Sequence, residues 1–183
     1  ISALTDIRGT CYLTDPVNTP WGAVQCPDFA QVASDKKAYA KATRQQYDQQ
    51  DEIYGKTVIQ RHGKQMLVQN PPALSLTQEE LDAVYQLPFQ RKPHPMYDAQ
   101  GGVPGIAEVQ FSIAHNRGCF GYCNFCSIAL HQGRRVTCRS EESILKEAKQ
   151  ITEMPNFKGY IHDVGGPTAN FRAPSCKKQL TKG

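Results

Sequence analysis

Arg117-Gly118-Cys119-Phe120-Gly121-Tyr122-Cys123-Asn124-Phe125-Cys126 is the stretch on which the reading of this chain turns. It puts three cysteines into one short loop with the spacing C-x3-C-x2-C, and glycines on that loop let it close tightly. Three thiolates so spaced can each reach one iron of a cubane cluster and leave the fourth iron open. An open metal position is a reactive one, by the same logic that separates catalytic from structural zinc. The chain has seven cysteines, an odd number with three of them clustered. That pattern points to a reduced compartment and a metal or cluster site, not to a disulfide framework. Cys11, Cys26, Cys138 and Cys176 stand alone and read as small buried hydrophobes.

Working outward, Glu108 to Ala114 alternates with the period of a strand and runs into the cysteine loop. Downstream, Ser140 caps a helix with Glu141 and Glu142 in its first turn, where the helix dipole favours acids, and Ile144, Leu145, Ala148 and Ile151 form its apolar face. Gly159 to Val164 reads as a second strand closing on Gly165-Gly166-Pro167. Strand, loop, helix and strand make a βαβ unit, so the two strands are expected to be parallel with a right-handed crossover.

Upstream the signals differ. Ile1 to Pro27 reads as extended and irregular, broken by prolines. Phe29, Val32, Tyr39, Thr43 and Tyr47 recur at helical spacing, with Ser34 or Asp35 as a cap and an end expected near Ile53. Thr57 to Gln60 and Gln65 to Gln69 flank His62-Gly63 and predict a hairpin. Thr77 with Glu80 is a capping box that opens a helix to about Leu87, where Pro88 stops it. The proline- and glycine-rich run from 88 to 105 is the expected boundary between an N-terminal segment, 1–105, and a second domain, 106–183.

The whole chain has 183 residues, 39% hydrophobic, 9% aromatic and 21% charged, enough for a moderate core and too ordered in composition for a disordered chain. No apolar run approaches the roughly 20 residues of a membrane span, so a soluble, cytoplasmic protein without membrane partners is expected. The start at Ile1, with neither an initiator Met nor a signal peptide, reads as a piece of a longer protein. The net charge of +4 is uneven: residues 1–90 carry 8 Lys/Arg against 10 Asp/Glu, and residues 91–183 carry 13 against 7. Arg134, Arg135, Arg139 and Lys177-Lys178 could meet a nucleic acid, but no aromatic platform or fold motif supports that beyond charge.

The cysteine spacing, with aromatic Phe125 before the last cysteine, resembles the radical SAM superfamily signature. Gly165-Gly166-Pro167 is similar to that superfamily's glycine motif, with Pro167 where many members have an acidic residue. Asp6-Ile7-Arg8-Gly9-Thr10, Gln60-Arg61-His62-Gly63, Asn70-Pro71-Pro72, His115-Asn116-Arg117-Gly118-Cys119, His131-Gln132-Gly133-Arg134, Arg139 to Leu145 and Asp163 to Asn170 together resemble the YgiQ-type radical SAM proteins over nearly the whole length. The resemblance implies an α/β fold: the start of a parallel (β/α) radical SAM partial barrel, preceded by a small α+β segment. It also implies a [4Fe-4S] cluster on Cys119, Cys123 and Cys126, and S-adenosyl-L-methionine bound at Phe125, Gly165, Gly166 and Pro167. Reductive cleavage of that cofactor would give a 5'-deoxyadenosyl radical, with a flavodoxin or ferredoxin as electron donor and a substrate that the residues do not name. Arg117, His131 and Arg134 lie near the loop as cofactor contacts or solvated side chains, and Asp163 is a cofactor contact or a loop cap. The other class is a non-catalytic binding or assembly module, in which a structural zinc replaces the cluster and His115, His131 or Cys138 completes its ligands.

Overall fold

The computed structural model describes residues 4–121, 123–166, 169–172 and 178. In chain order the elements are β1 (Cys11–Thr14), β2 (Val24–Gln25), α1 (Phe29–Ser34), α2 (Lys36–Asp48), β3 (Val58–His62), β4 (Gln65–Gln69), α3 (Gln78–Tyr85), α4 (Ile106–Val109), β5 (Ser112–Ala114), β6 (Asn116–Arg117), α5 (Ile128–Gln132), β7 (Thr137–Cys138), α6 (Glu141–Thr152) and β8 (Asp163–Gly165). Short 3-10 helices cover Pro16–Asn18 and Pro95–Gln100. The chain is thus of mixed α/β type. It divides into two compact units: Ile1–Ser75 with Phe120–Arg135 and Cys176–Gly183, and Leu76–Cys119 with Val136–Ser175. These units are drawn differently from the sequence boundary at residue 105. Among the described residues no helix is long and apolar enough to cross a membrane.

The first unit is built on a four-stranded sheet in the order β1-β4-β3-β2. The hairpin β3–β4 turns at Gly63-Lys64, with His62 opposite Gln65, and Gly63 takes a positive φ of 61° that favours glycine. Alternation then divides the strands between two faces. Val58 packs with Cys26 and Ala42 under the helices, while Ile59, Met66 and Val68 form the other cluster with Tyr12 and Ala23. The expected single helix to Ile53 is in fact two. Asp35, extended at φ −124° and ψ 117°, ends α1 and caps α2, where its carboxylate accepts from the Lys37 N–H. The segment 1–27, read as irregular, supplies β1 antiparallel to β4 and β2 parallel to β3. Gly9 and Asn70 tie its start down: the Gly9 N–H donates to the Pro71 carbonyl at 2.8 Å, and the Asn70 amide donates to the carbonyls of Thr5 and Ile7.

In the second unit β5 and β8 are parallel, with Ser112, Ile113 and Ala114 opposite Asp163, Val164 and Gly165. Between them in the chain lies α6, capped by Ser140, whose hydroxyl accepts from the Ser143 N–H. Phe111, Ile113 and Ile151 form the core with Ile144, Ala148, Met154, Phe157 and Ile161 around them. Both expected strands are shorter than predicted. Residues 106–109 are helical, opening after Pro104-Gly105 with Glu108 in the first turn, and only 112–114 find a partner. Residues 159–162 lie outside the strand: Gly159 takes a φ of 95°, and pairing with β5 begins only at Asp163. Among the described residues β5 and β8 form a two-stranded parallel sheet, and β6 pairs antiparallel with β7.

Candidate functional site

In the second unit, the parallel strands β5 and β8 end at Ala114 and Gly165. The His115 N–H donates to the Gly165 carbonyl at 2.9 Å, and the His115 carbonyl accepts from the Arg139 N–H at 2.8 Å. Asn116 follows and is 1% exposed, yet neither its amide nitrogen nor its amide oxygen has a hydrogen-bond partner. The Nδ1 of His115, also buried, has none either. Asn116 lies against the glycine pair. A Cβ added to Gly166 would collide with Asn116 Oδ1 and fall 2.6 Å from the Ala169 carbonyl, and one on Gly165 would fall 2.8 Å from Asn170 Oδ1 and 2.9 Å from Asp163 Oδ1. Only bare backbone fits there. Pro167 lies outside the described residues, as does Cys176.

Behind these strand ends sits a buried ionic network. Arg139, 1% exposed, donates to the Ala114 carbonyl at 3.0 Å, to Ser143 and to the Glu147 carboxylate, and its guanidinium lies 4.1 Å above the Tyr85 ring. Glu147 also accepts from Arg91, which donates to the carbonyls of Gln110 and Ser112. Burial pulls both guanidiniums down from their ordinary value, and for Arg139 the neighbouring Tyr85 and Asp82 oppose that. The sequence grouped Arg139 with a basic surface. Its burial removes it from any nucleic-acid contact, and its partners make it an internal brace of β5 and α6.

In the first unit, the C-terminal arm of the cysteine loop is held by side chains of the N-terminal region. The Cys126 N–H donates to the Cys123 carbonyl at 3.0 Å in a tight turn, after which α5 runs to Gly133. Arg134 donates to the Tyr47 carbonyl at 2.8 Å and lies 5.3 Å from the centre of its ring. Arg135 pairs with Glu52 at 3.4 Å, and Glu52 in turn accepts from the Ser75 N–H and hydroxyl. Phe125 is 93% exposed.

Cys119 and Cys126 are half-buried and Cys123 is exposed. Among the described residues no three of His, Cys, Asp and Glu gather into a group that could hold a metal. The donor set nevertheless suits iron: soft thiolates at a spacing one short loop can close. The cradle at Gly166, with a buried and unpartnered amide against it, likewise suits a polar ligand.

The site residues reach a class of protein through comparison. The Radical SAM N-terminal family matches residues 1–112, and the chain belongs to that family, as its YgiQ-type resemblance implies. Over all 183 residues it is 51% identical to a UPF0313 protein of Clostridium botulinum (strain ATCC 19397 / Type A), and over 178 residues 52% identical to a UPF0313 protein of Clostridium perfringens (strain ATCC 13124). It covers 28% and 27% of those two proteins, so the chain spans just over a quarter of the length of the curated relatives it matches. No solved structure matches it.

Proposed function

We propose that this chain supplies the cluster-binding and cofactor-binding loops of a radical SAM enzyme, at the opening of its partial (β/α) barrel. Cys119, Cys123 and Cys126 hold a [4Fe-4S] cluster, and Phe125, Gly165, Gly166 and Pro167 receive S-adenosyl-L-methionine. When bound, the two groups would supply radical chemistry: reductive cleavage of the cofactor with an electron from a flavodoxin or ferredoxin, and hydrogen abstraction from a substrate by a 5'-deoxyadenosyl radical. The protein's own part is to bind, orient and keep water away.

The observation that carries the reading is the order of motifs along the parallel pair. The cysteine loop follows the end of β5, and the glycine pair stands at the end of the parallel strand β8. Ligands of open parallel sheets bind at the carboxyl ends of their strands. A Gly-Gly turn alone is weak, but here Gly166 admits no side chain and abuts a buried amide that lacks a partner. The test is anaerobic iron and sulfide reconstitution of the complete protein, then electron paramagnetic resonance of the reduced sample with and without S-adenosylmethionine. A [4Fe-4S] signal that shifts on adding the cofactor is expected, lost in Cys123→Ala and kept in Cys26→Ala. Tight zinc in place of iron, or equal iron in the two variants, overturns it.

A further inference from the structure

We propose that the N-terminal region clamps the exit of the cysteine loop, with Arg134 and Arg135 as positioning residues that hold the Cys123–Cys126 turn in place before any cluster binds. What the turn holds rests on the radical SAM reading above; the clamp itself lies wholly within the first unit. Three stretches with no part in the proposed cluster chemistry, Asp6 to Thr10, Asn70 to Pro72 and Gly133 to Arg135, meet there around the turn that follows α2. Asp51 Oδ1 accepts from the N–H groups of Ile53 and Tyr54, and the Gly55 N–H donates to the Asp51 carbonyl at 2.9 Å. A Cβ on Gly55 would collide with the carbonyls of Gln49 and Asp51 and lie 3.0 Å from Pro72 Cδ, so the turn is wound tightly against Pro72. Arg8 fastens it there, donating to the Pro72 carbonyl at 2.9 Å and to the Glu52 carbonyl.

The result is a carboxylate ordered in advance. One Glu52 oxygen accepts from the Ser75 N–H and hydroxyl, the other pairs with Arg135, and the Glu52 side chain is 14% exposed. An exposed ion pair contributes little, because two long side chains must both be ordered to form it. Here only Arg135 has rotamer freedom left to lose. Arg134 takes a separate anchor: it donates to the Tyr47 carbonyl in the last turn of α2, where free carbonyls and the helix dipole favour a cation. Two adjacent arginines on two anchors fix the direction of the chain as well as its position. Gly133 leaves α5 at a φ of 87°, so only the short helix Ile128–Gln132 separates the anchors from Cys126, whose N–H closes the turn onto Cys123. A loop whose exit is already ordered loses less entropy on binding metal and opens less often to release it.

The experiment follows iron leaving the complete, anaerobically reconstituted protein for the chelator bathophenanthroline, with hydrogen exchange of peptides from β3, β4 and residues 123–135 recorded for every variant. Arg134→Ala and Arg135→Ala should each release iron about tenfold faster than the natural protein, the size expected for one hydrogen bond to a charged group. Arg135→Lys should restore the natural rate, because a single contact at 3.4 Å needs only a point charge. Arg44→Ala, which removes an exposed pair on α2, should change nothing. Exchange within 123–135 should rise in both alanine variants while that of β3 and β4 stays as in the natural protein. Unchanged iron release in both alanine variants would overturn the proposal, as would an Arg135→Lys variant no better than alanine. Faster exchange in β3 and β4 as well would also overturn it, because the whole unit would then have loosened. A natural protein that takes up no iron would instead remove the radical SAM reading. The clamp would then be decided on the metal-free protein, where faster exchange confined to 123–135 upholds it and unchanged exchange there overturns it.

Discussion

Glu147→Gln should unfasten the second unit. The Glu147 side chain is 9% exposed and is the carboxylate partner of two guanidiniums, that of Arg139 at 1% and that of Arg91 at 18%. Removing the carboxylate leaves Arg139 charged, buried and held only by neutral acceptors, since an arginine keeps its proton even when burial lowers its affinity for it. Breaking a buried pair in this way costs roughly 3–5 kcal/mol. Arg91, partly solvated, adds less, so about 4 kcal/mol is the expectation, a large share of the 5–15 kcal/mol that stabilises a typical domain. Read by native-state hydrogen exchange on peptides from α6, that corresponds to about a thousandfold faster exchange at amides that open with the unit. In urea it corresponds to a midpoint lower by about 2 M for a slope near 2 kcal/mol/M. Replacing Arg139 by Met and Glu147 by Leu together should recover most of the loss, because the charges leave as a pair. An exchange increase of tenfold or less in Glu147→Gln would refute the claim that this carboxylate neutralises a buried cation.

Three shorter expectations follow from other contacts. Gly166→Ala drives a Cβ into Asn116 Oδ1 and the Ala169 carbonyl, so it should cost about 1–3 kcal/mol by overpacking, seen as a lowered melting temperature, while Gly22→Ala, where space is open, should show only the milder strain of its positive φ. Burial pushes the Cys26 thiol up, against smaller opposing effects of Gln46 and Lys41; the folded chain therefore holds that proton where the unfolded chain has lost it, stability is full below the ordinary thiol range and falls as pH rises through it, and Cys26→Ala should flatten this alkaline slope in melting temperature. Glu52→Gln weakens the acceptor shared by Ser75 and Arg135, and with a loss of about 1–2 kcal/mol trypsin should cut after Arg134 and Arg135 sooner than in the natural chain.

Where the folding signal is local, the sequence carries it. Thr77 and Glu80 meet in the capping box they predict, Ser140 caps α6, and the hairpin turns at Gly63, because each feature is settled within a few residues. The strands of segment 1–27 were invisible for the opposite reason. β1 has its partner in Gln65–Gln69 and β2 in Val58–Ile59, and no short window records a pairing that distant. The alternation at 108–114 misled because a four-residue window fits a helical turn equally well, and a strand needs a neighbour to exist. The parallel relation of β5 and β8 was legible in outline, through the order strand, loop, helix, strand, but not its length.

The two halves of the candidate site were legible to different degrees for a chemical reason. Metal chemistry dictates residue type, so Cys119, Cys123 and Cys126 announce themselves by identity and spacing alone. Asn116, Arg139 and Glu147 are ordinary residue types, and they acquire meaning only from burial that the sequence does not display. Arg139 even misleads as a sequence feature, reading as surface charge while it braces a strand. The distinction has an experimental form. Changes at the cysteines should remove iron and leave the exchange of α6 untouched, whereas changes at Arg139 or Glu147 should speed that exchange and leave the iron held by folded molecules unchanged.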